Sequence, residues 1–413
     1  MWRRRAMATD IVAIVTGAAA EADEPRTGQE TVVQSEQVPA DVVTTEPQAL
    51  PAFTVDPGPR WRETTALLQV IPTKNGFKVR GTGGDAPLRA GGRHYGRPRL
   101  ALGVLADGRH PLGLGVLDVD AAMIEWSRDH YELGQWINGL RARWGDDELQ
   151  LVIWDDTGFE IPWEMLYLDA DPDGGPAEGW LGALVCVSRW TTIRRDGRRP
   201  FSDEPKECSG EVAVYLDQDM RGDFAALSPY ADEPYDDVHD FLDLLRGQGA
   251  GSACLAMVYM ACHGTLGDDF SRWRLGGLRW RDLQRPPLAA LRRAPSLVFL
   301  NACHSGRLVE EAHLGDGVLR GFAAIFLREG AEAVIGTVAE IDTEVASHVA
   351  GVIVEELAAG GGKPIAAALR DMRARAVPAD PHDAEQLVAF VYRCMYVYYG
   401  NPRTSLRLEA RQG

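Results

Sequence analysis

Three large classes of function find little support in this sequence. Positive charge is not in surplus: 43 Lys and Arg stand against 60 Asp and Glu, a formal net charge of −17. A face that displaces counterions from nucleic acid needs the opposite balance, and anionic lipid repels an acidic chain. There is no run of about 20 apolar residues, the length a helix needs to span a bilayer. Cysteines are few, at 186, 208, 254, 262, 303 and 394, and none form a Cys-x-x-Cys pair. That spacing excludes a zinc ribbon or a thioredoxin-type site, and so sparse a set makes no disulfide scaffold. The 44 Gly and 24 Pro show no short period, so collagen-like and low-complexity readings fail. The expectation is a protein with reduced thiols in the cytoplasm. It makes no direct nucleic-acid contact, does not engage a membrane, and has no metal and no organic cofactor.

What is present divides along the chain. Residues 1–5 are basic and 11–20 apolar, which has the outline of a secretory signal, but Asp10 and the shortness of the run count against it. Residues 1–60 read as a disordered leader and linker, rich in Glu, Thr, Gln and Pro. Two short strands flanking Asn75-Gly76 read as a hairpin. A helix is predicted over 121–144 and a buried strand over 149–154. The second half alternates more cleanly. Strands are predicted at 211–216, 255–261, 296–302, 333–338 and 391–399, and helices at 236–246, 318–328 and 343–359. Near-continuous apolar strands separated by helices imply an α/β fold, with a mostly parallel sheet covered by helices on both faces. In such sheets, chemistry sits at the carboxyl ends of the strands.

Two of those ends carry similar text. One strand runs into Cys262-His263-Gly264 and another into Asn301-Ala302-Cys303-His304-Ser305-Gly306. If the strands are parallel neighbours, a His and a Cys emerge at one rim. A thiolate attacks, an imidazole takes its proton, and the N–H groups of Gly264 and Cys303 can receive a developing oxyanion. The plainer reading is that both side chains only pack. A zinc reading of the same residues fails on alternation, since neighbours on a strand face opposite ways and leave two ligands where four are needed.

These motifs resemble the CHAT family, the caspase-like domain related to separase, metacaspases and gingipains. Residues 155–166 (DDTGFEIPWEML), 322–337 and the terminal Tyr399-Gly400-Asn401-Pro402 are similar to family segments in the same order. The similarity runs over roughly residues 65–410. The resemblance implies a caspase-like cysteine endopeptidase with Cys303 as nucleophile, His263 as general base and acid, and Gly264 and Cys303 as oxyanion donors. It implies an N-terminal part over 61–145 and a catalytic core over 146–413. It also implies a protein substrate, an activating partner protein and a place in bacterial signalling or defence. His304 is expected to point away from the pair. The loop after the next strand departs from the family pattern. Its Glu340 and Asp342 would make a substrate pocket acidic and favour Arg or Lys. The alternative is a catalytically silent interaction module of the same fold.

Other motifs carry less. Asp156-Thr157-Gly158 has the aspartic-protease tripeptide, but no second copy follows to supply the paired carboxylate. Gly360-Gly361-Gly362-Lys363 follows a helix instead of a strand and reads as a terminator, not a phosphate loop. Residues 307–317 read as a loop suited to gating or self-cleavage.

Overall fold

The computed structural model describes residues 63–410, apart from 75, 85–86, 90–94, 99–114, 172–173, 193–203, 249–253, 268–269 and 311–318. The predicted leader, Asn75 of the hairpin turn and most of the 307–317 loop lie outside the described residues.

Ten strands form one sheet. They are β1 (Thr65–Thr73), β2 (Gly76–Thr82), β3 (Leu88–Arg89), β4 (Gln150–Asp155), β5 (Cys186–Trp190), β6 (Glu211–Leu216), β7 (Leu255–Ala261), β8 (Leu297–Asn301), β9 (Ala333–Thr337) and β10 (Tyr396–Gly400), in the spatial order β3-β2-β1-β4-β5-β10-β9-β8-β7-β6. β1, β4, β5 and β10 are mutually parallel. So are β9, β8, β7 and β6. The two blocks run in opposite directions and meet where β10 pairs antiparallel with β9. The fold is thus α/β with a mostly parallel sheet, as expected.

Strand alternation feeds two cores. On one face, Leu68, Leu151, Val187, Phe299, Ile335 and Tyr396 pack against α1 (Val116–Asp129), α2 (Tyr131–Trp144), α5 (Thr343–Ala359), α6 (Ile365–Ala374) and α7 (Ala384–Met395). On the other, Val152, Trp190, Met260, Leu300, Val334 and Val397 pack against α3 (Val238–Leu245) and α4 (Phe322–Glu329). β7 is buried at every position, which is why its sequence LAMVYMA is apolar throughout.

Three sequence expectations are corrected. The helix over 121–144 is two helices, broken at His130. There the His130 ring nitrogen Nδ1 lies 2.5 Å from the Trp126 carbonyl, the acceptor that a continuous helix reserves for the His130 N–H. That N–H turns to Ser127 instead. The helix over 318–328 starts only at Phe322, because Leu319–Arg320 pairs with Val309–Glu310 as a short antiparallel ribbon. The strand over 391–399 is the end of α7 followed by β10. Asp383 caps α7 by accepting from the Glu385 and Gln386 N–H groups, and Leu387, Phe390, Val391 and Cys394 bury one helical face.

Candidate active site

β7 and β8 are parallel neighbours with Ala261 opposite Asn301. The residues that follow therefore leave the sheet at one rim. Alternation buries Cys262 completely, leaving His263 as the exposed member of its pair. Burial holds the Cys262 thiol well above its ordinary pKa. The His263 main-chain N–H donates to Asp217 Oδ2 at 3.1 Å, and its ring Nε2 lies 2.8 Å from Asp219 Oδ2. Gly264 abuts Cys303 directly: a Cβ at Gly264 would lie 2.0 Å from the Cys303 carbonyl oxygen. Only glycine permits the two strand ends to come this close.

Cys303 is half-buried. Its Sγ accepts from the Ile341 N–H at 3.5 Å and donates to the Ile341 carbonyl at 3.6 Å. Among the described residues no hydrogen bond joins His263 to Cys303. Burial pushes the thiol pKa up, and the Glu340 and Asp342 carboxylates add to this; the N–H groups of Ile341 and of Cys303 itself act the other way. Such a thiol is protonated at neutral pH and needs a base to become a nucleophile.

The turn after the nucleophile is threaded between β8 and β9. Ser305 Oγ donates to the Leu300 carbonyl at 2.9 Å and accepts from the Thr337 N–H at 3.0 Å. Thr337 Oγ1 donates to the Ala302 carbonyl at 2.6 Å. Gly306 lies on Gly336, where a Cβ would meet backbone at 2.9 Å, so the glycine of Ser305-Gly306 is a packing requirement. His304 takes the left-handed backbone at φ 58° and sets its Nε2 3.3 Å from Glu340 Oε1. Burial lowers its pKa, with the Glu340 contact acting the other way. Two residues beyond the turn's serine, Arg307 pairs with Glu160, which also has a left-handed backbone. Beneath the site, Asn301 donates to Asp223 Oδ2 at 2.7 Å and accepts from the Tyr396 hydroxyl at 2.7 Å. Tyr259 donates to the same Asp223 oxygen at 2.5 Å.

The Gly264 backbone, next to His263, therefore lies against Cys303, while the His263 ring is set against Asp219. Glu340 and Asp342 lie on the loop that cradles the thiol, but both are engaged. Glu340 meets His304, and Asp342 caps α5 by accepting from the Glu344 N–H at 2.9 Å and the Val345 N–H at 3.3 Å. Asp217, Asp219 and Asp223, on a polar stretch after β6 that reads only as a turn, and the Ile341 backbone, on the loop after β9, are missed by sequence reasoning. Among the described residues no group of three His, Cys, Asp or Glu side chains could hold a metal ion, and no helix is long and apolar enough to cross a membrane.

Residues 229–401 match the family model described as the CHAT domain. The resemblance read from the sequence is thus shown over that stretch. Among solved structures, the chain is similar to one in the Saccharomyces cerevisiae separase–securin complex at 14% identity and a TM-score of 0.39, covering 67% of this chain and 17% of that one. It is similar to gingipain R, an Arg-specific cysteine proteinase, at 12% identity and a TM-score of 0.41, covering 67% and 68%. For the complex of Porphyromonas gingivalis RgpB pro- and mature domains the values are 13%, 0.42, 67% and 70%. No curated protein matches.

Proposed function

We propose that the chain is a cysteine endopeptidase. One observation carries the reading: the in-register ends of β7 and β8 set His263-Gly264 against Cys303. Cys303 Sγ attacks the scissile carbonyl as His263 takes the thiol proton. The tetrahedral oxyanion is received by the N–H groups of Gly264 and Cys303. His263 then protonates the leaving amine, leaving a thioester on Cys303. Water activated by the same imidazole hydrolyses it and restores the thiol. The residues supply nucleophile, base and donors, so no metal or organic cofactor is required.

The raised thiol pKa and its hold on Ile341 support a resting enzyme that a partner protein activates, with residues 61–145 serving that contact and 146–413 doing the chemistry. The resemblance supports a protein substrate and a role in bacterial signalling or defence in the cytoplasm. Glu340 and Asp342 border the nucleophile, and a basic substrate side chain there would have to compete with His304 and the α5 cap.

A second reading, a silent interaction module, is favoured by the lack of a hydrogen bond between His263 and Cys303. Labelling with a peptidyl warhead separates the two. A peptidase is labelled at Cys303 alone, and His263→Ala removes the label. Equal labelling of wild type and His263→Ala, with no loss of biological effect in Cys303→Ala, establishes the module.

A further inference from the structure

We infer that Asp219 is a positioning residue for His263, the third member of the catalytic assembly. The inference rests on the peptidase reading above. Asp219 Oδ2 lies 2.8 Å from His263 Nε2. A carboxylate only accepts, so the contact assigns the hydrogen to Nε2 and leaves the lone pair on Nδ1. Nδ1 is the ring nitrogen nearer the main chain, and it is the main chain of this segment that abuts Cys303. The Nδ1 lone pair is then the one left to take the thiol proton.

By itself the contact is weak. The two side chains are 65% and 53% exposed, and water screens such pairs. Its significance comes from how the turn beneath it is held. The turn Gln218–Asp223 is clamped at both ends by carboxylates. Before it, Asp217 donates its N–H to the Ala261 carbonyl at 2.9 Å and accepts from the Tyr215 hydroxyl at 2.5 Å and from the His263 N–H at 3.1 Å. At its end, Asp223 accepts from Tyr259 on β7 and from Asn301, the last residue of β8. One clamp grips the strand that bears the base, and the other reaches the strand that bears the nucleophile. A turn that merely connected β6 to the next element would need neither. The clamps fix Asp219 relative to both reacting groups before substrate arrives, so little reorganisation remains.

The chemistry gives this carboxylate a differential role. In the resting state it faces the His263 ring while the Cys303 thiol keeps its proton. When the S–H bond breaks and the proton moves to Nδ1, the ring becomes an imidazolium and the sulfur a thiolate. Asp219 then faces a full positive charge, so its interaction strengthens as the reaction proceeds. The other cation on the turn, Arg221, is paired with Asp236 and does not compete.

The test is the second-order rate of Cys303 alkylation by iodoacetamide in the full chain, read by peptide mass. Asp219→Ala lowers the rate about fivefold, the scale of one partly screened charged hydrogen bond. Asp219→Glu restores most of it, and Asp219→Asn falls between. Raising NaCl slows wild type towards the Asp219→Ala value and leaves that variant unchanged. Asp169→Asn, which breaks the exposed ion pair with Arg128 outside this turn, alkylates like wild type. The inference is overturned if His263→Ala slows alkylation while the Asp219 series does not. It is also overturned if the series slows it equally at all salt concentrations with no rescue by Glu. Equal alkylation of wild type and His263→Ala overturns the peptidase reading and this inference with it.

Discussion

The two blocks of the sheet end in polar segments that occupy equivalent places and do opposite things. β4 runs into Asp155, Asp156, Thr157 and Gly158. There Asp155 accepts from the Thr157 N–H and hydroxyl and from Trp163 Nε1, at 2.6–2.9 Å. Asp156 accepts from Trp154 Nε1, the Thr191 hydroxyl and both donors of Thr192, at 2.6–2.8 Å. Both carboxylates are saturated by the fold. Nearby, Glu164 and Arg189 form a fully buried ion pair. In the other block, β7 and β8 end on an exposed imidazole held at Nε2 by Asp219 and a half-buried thiol held, among the described residues, only by the Ile341 backbone. A strand end is thus no evidence of chemistry by itself. What separates scaffold from site is whether the polar atoms are already satisfied.

That distinction predicts where substitutions harm stability and where they harm activity. The largest effect belongs to Glu164→Gln. Burial alone would raise the Glu164 pKa, but Arg189, and Arg373 more weakly, hold it below its ordinary value. Neutralising it leaves two buried guanidinium groups without their common counter-charge, at a cost of about 3–5 kcal/mol in denaturant unfolding. A depressed carboxylate contributes stability above its unfolded pKa and loses that contribution as pH falls through the folded value. Wild type therefore destabilises more steeply than Glu164→Gln below pH 4.5, the ordinary value for this group. Equal stability of the two proteins at pH 7 would erase the contrast between the blocks.

Gly264→Ala should strike the other block. The added Cβ would lie 2.0 Å from the Cys303 carbonyl oxygen, so the strand ends must separate. A misplacement of about 1 Å costs on the order of a hundredfold in rate. The expected outcome is that loss in Cys303 labelling by a peptidyl warhead, with the circular dichroism spectrum retained. Unchanged labelling would mean that the close approach has no chemical purpose.

Much of this was legible in the sequence, for physical reasons. β7 is found at its predicted bounds because a strand buried on both faces must be apolar throughout, and β6 likewise after its exposed Glu211. α5 is found at its predicted bounds, ended by three glycines and started by the Asp342 cap. β5 was invisible because its CVSRW includes Arg189, whose charge is tolerated only through Glu164, 25 residues away. The break at His130 was invisible because a ring buried against Tyr95 and Trp126 causes it. At the site, His263 and Cys303 could be read from motif text. Asp219 could not, since its contact with His263 spans 44 residues and its local sequence is an ordinary polar turn.

The smallest predicted effect gives the closest comparison, because it changes a carboxylate at a strand end in the scaffold block by a single atom. Asp156→Asn keeps the shape but replaces one acceptor oxygen with an N–H donor. Its four contacts all come from donors, on Trp154, Thr191 and Thr192. At least one of them must then face another donor. The expected cost is about 1–3 kcal/mol, since a group left without its acceptor loses its hydrogen bond and stays partly desolvated. Unfolding by urea should show it as a lower midpoint with an unchanged slope. Alkylation of Cys303 should stay at the wild-type rate, because the Asp156 side chain is held by Trp154, Thr191 and Thr192 and shares no hydrogen bond with either His263 or Cys303. If Asp156→Asn instead slowed Cys303 alkylation while leaving the unfolding midpoint in place, the Asp-Thr-Gly segment would belong to the site after all. The division between a saturated block and an open one would then be wrong.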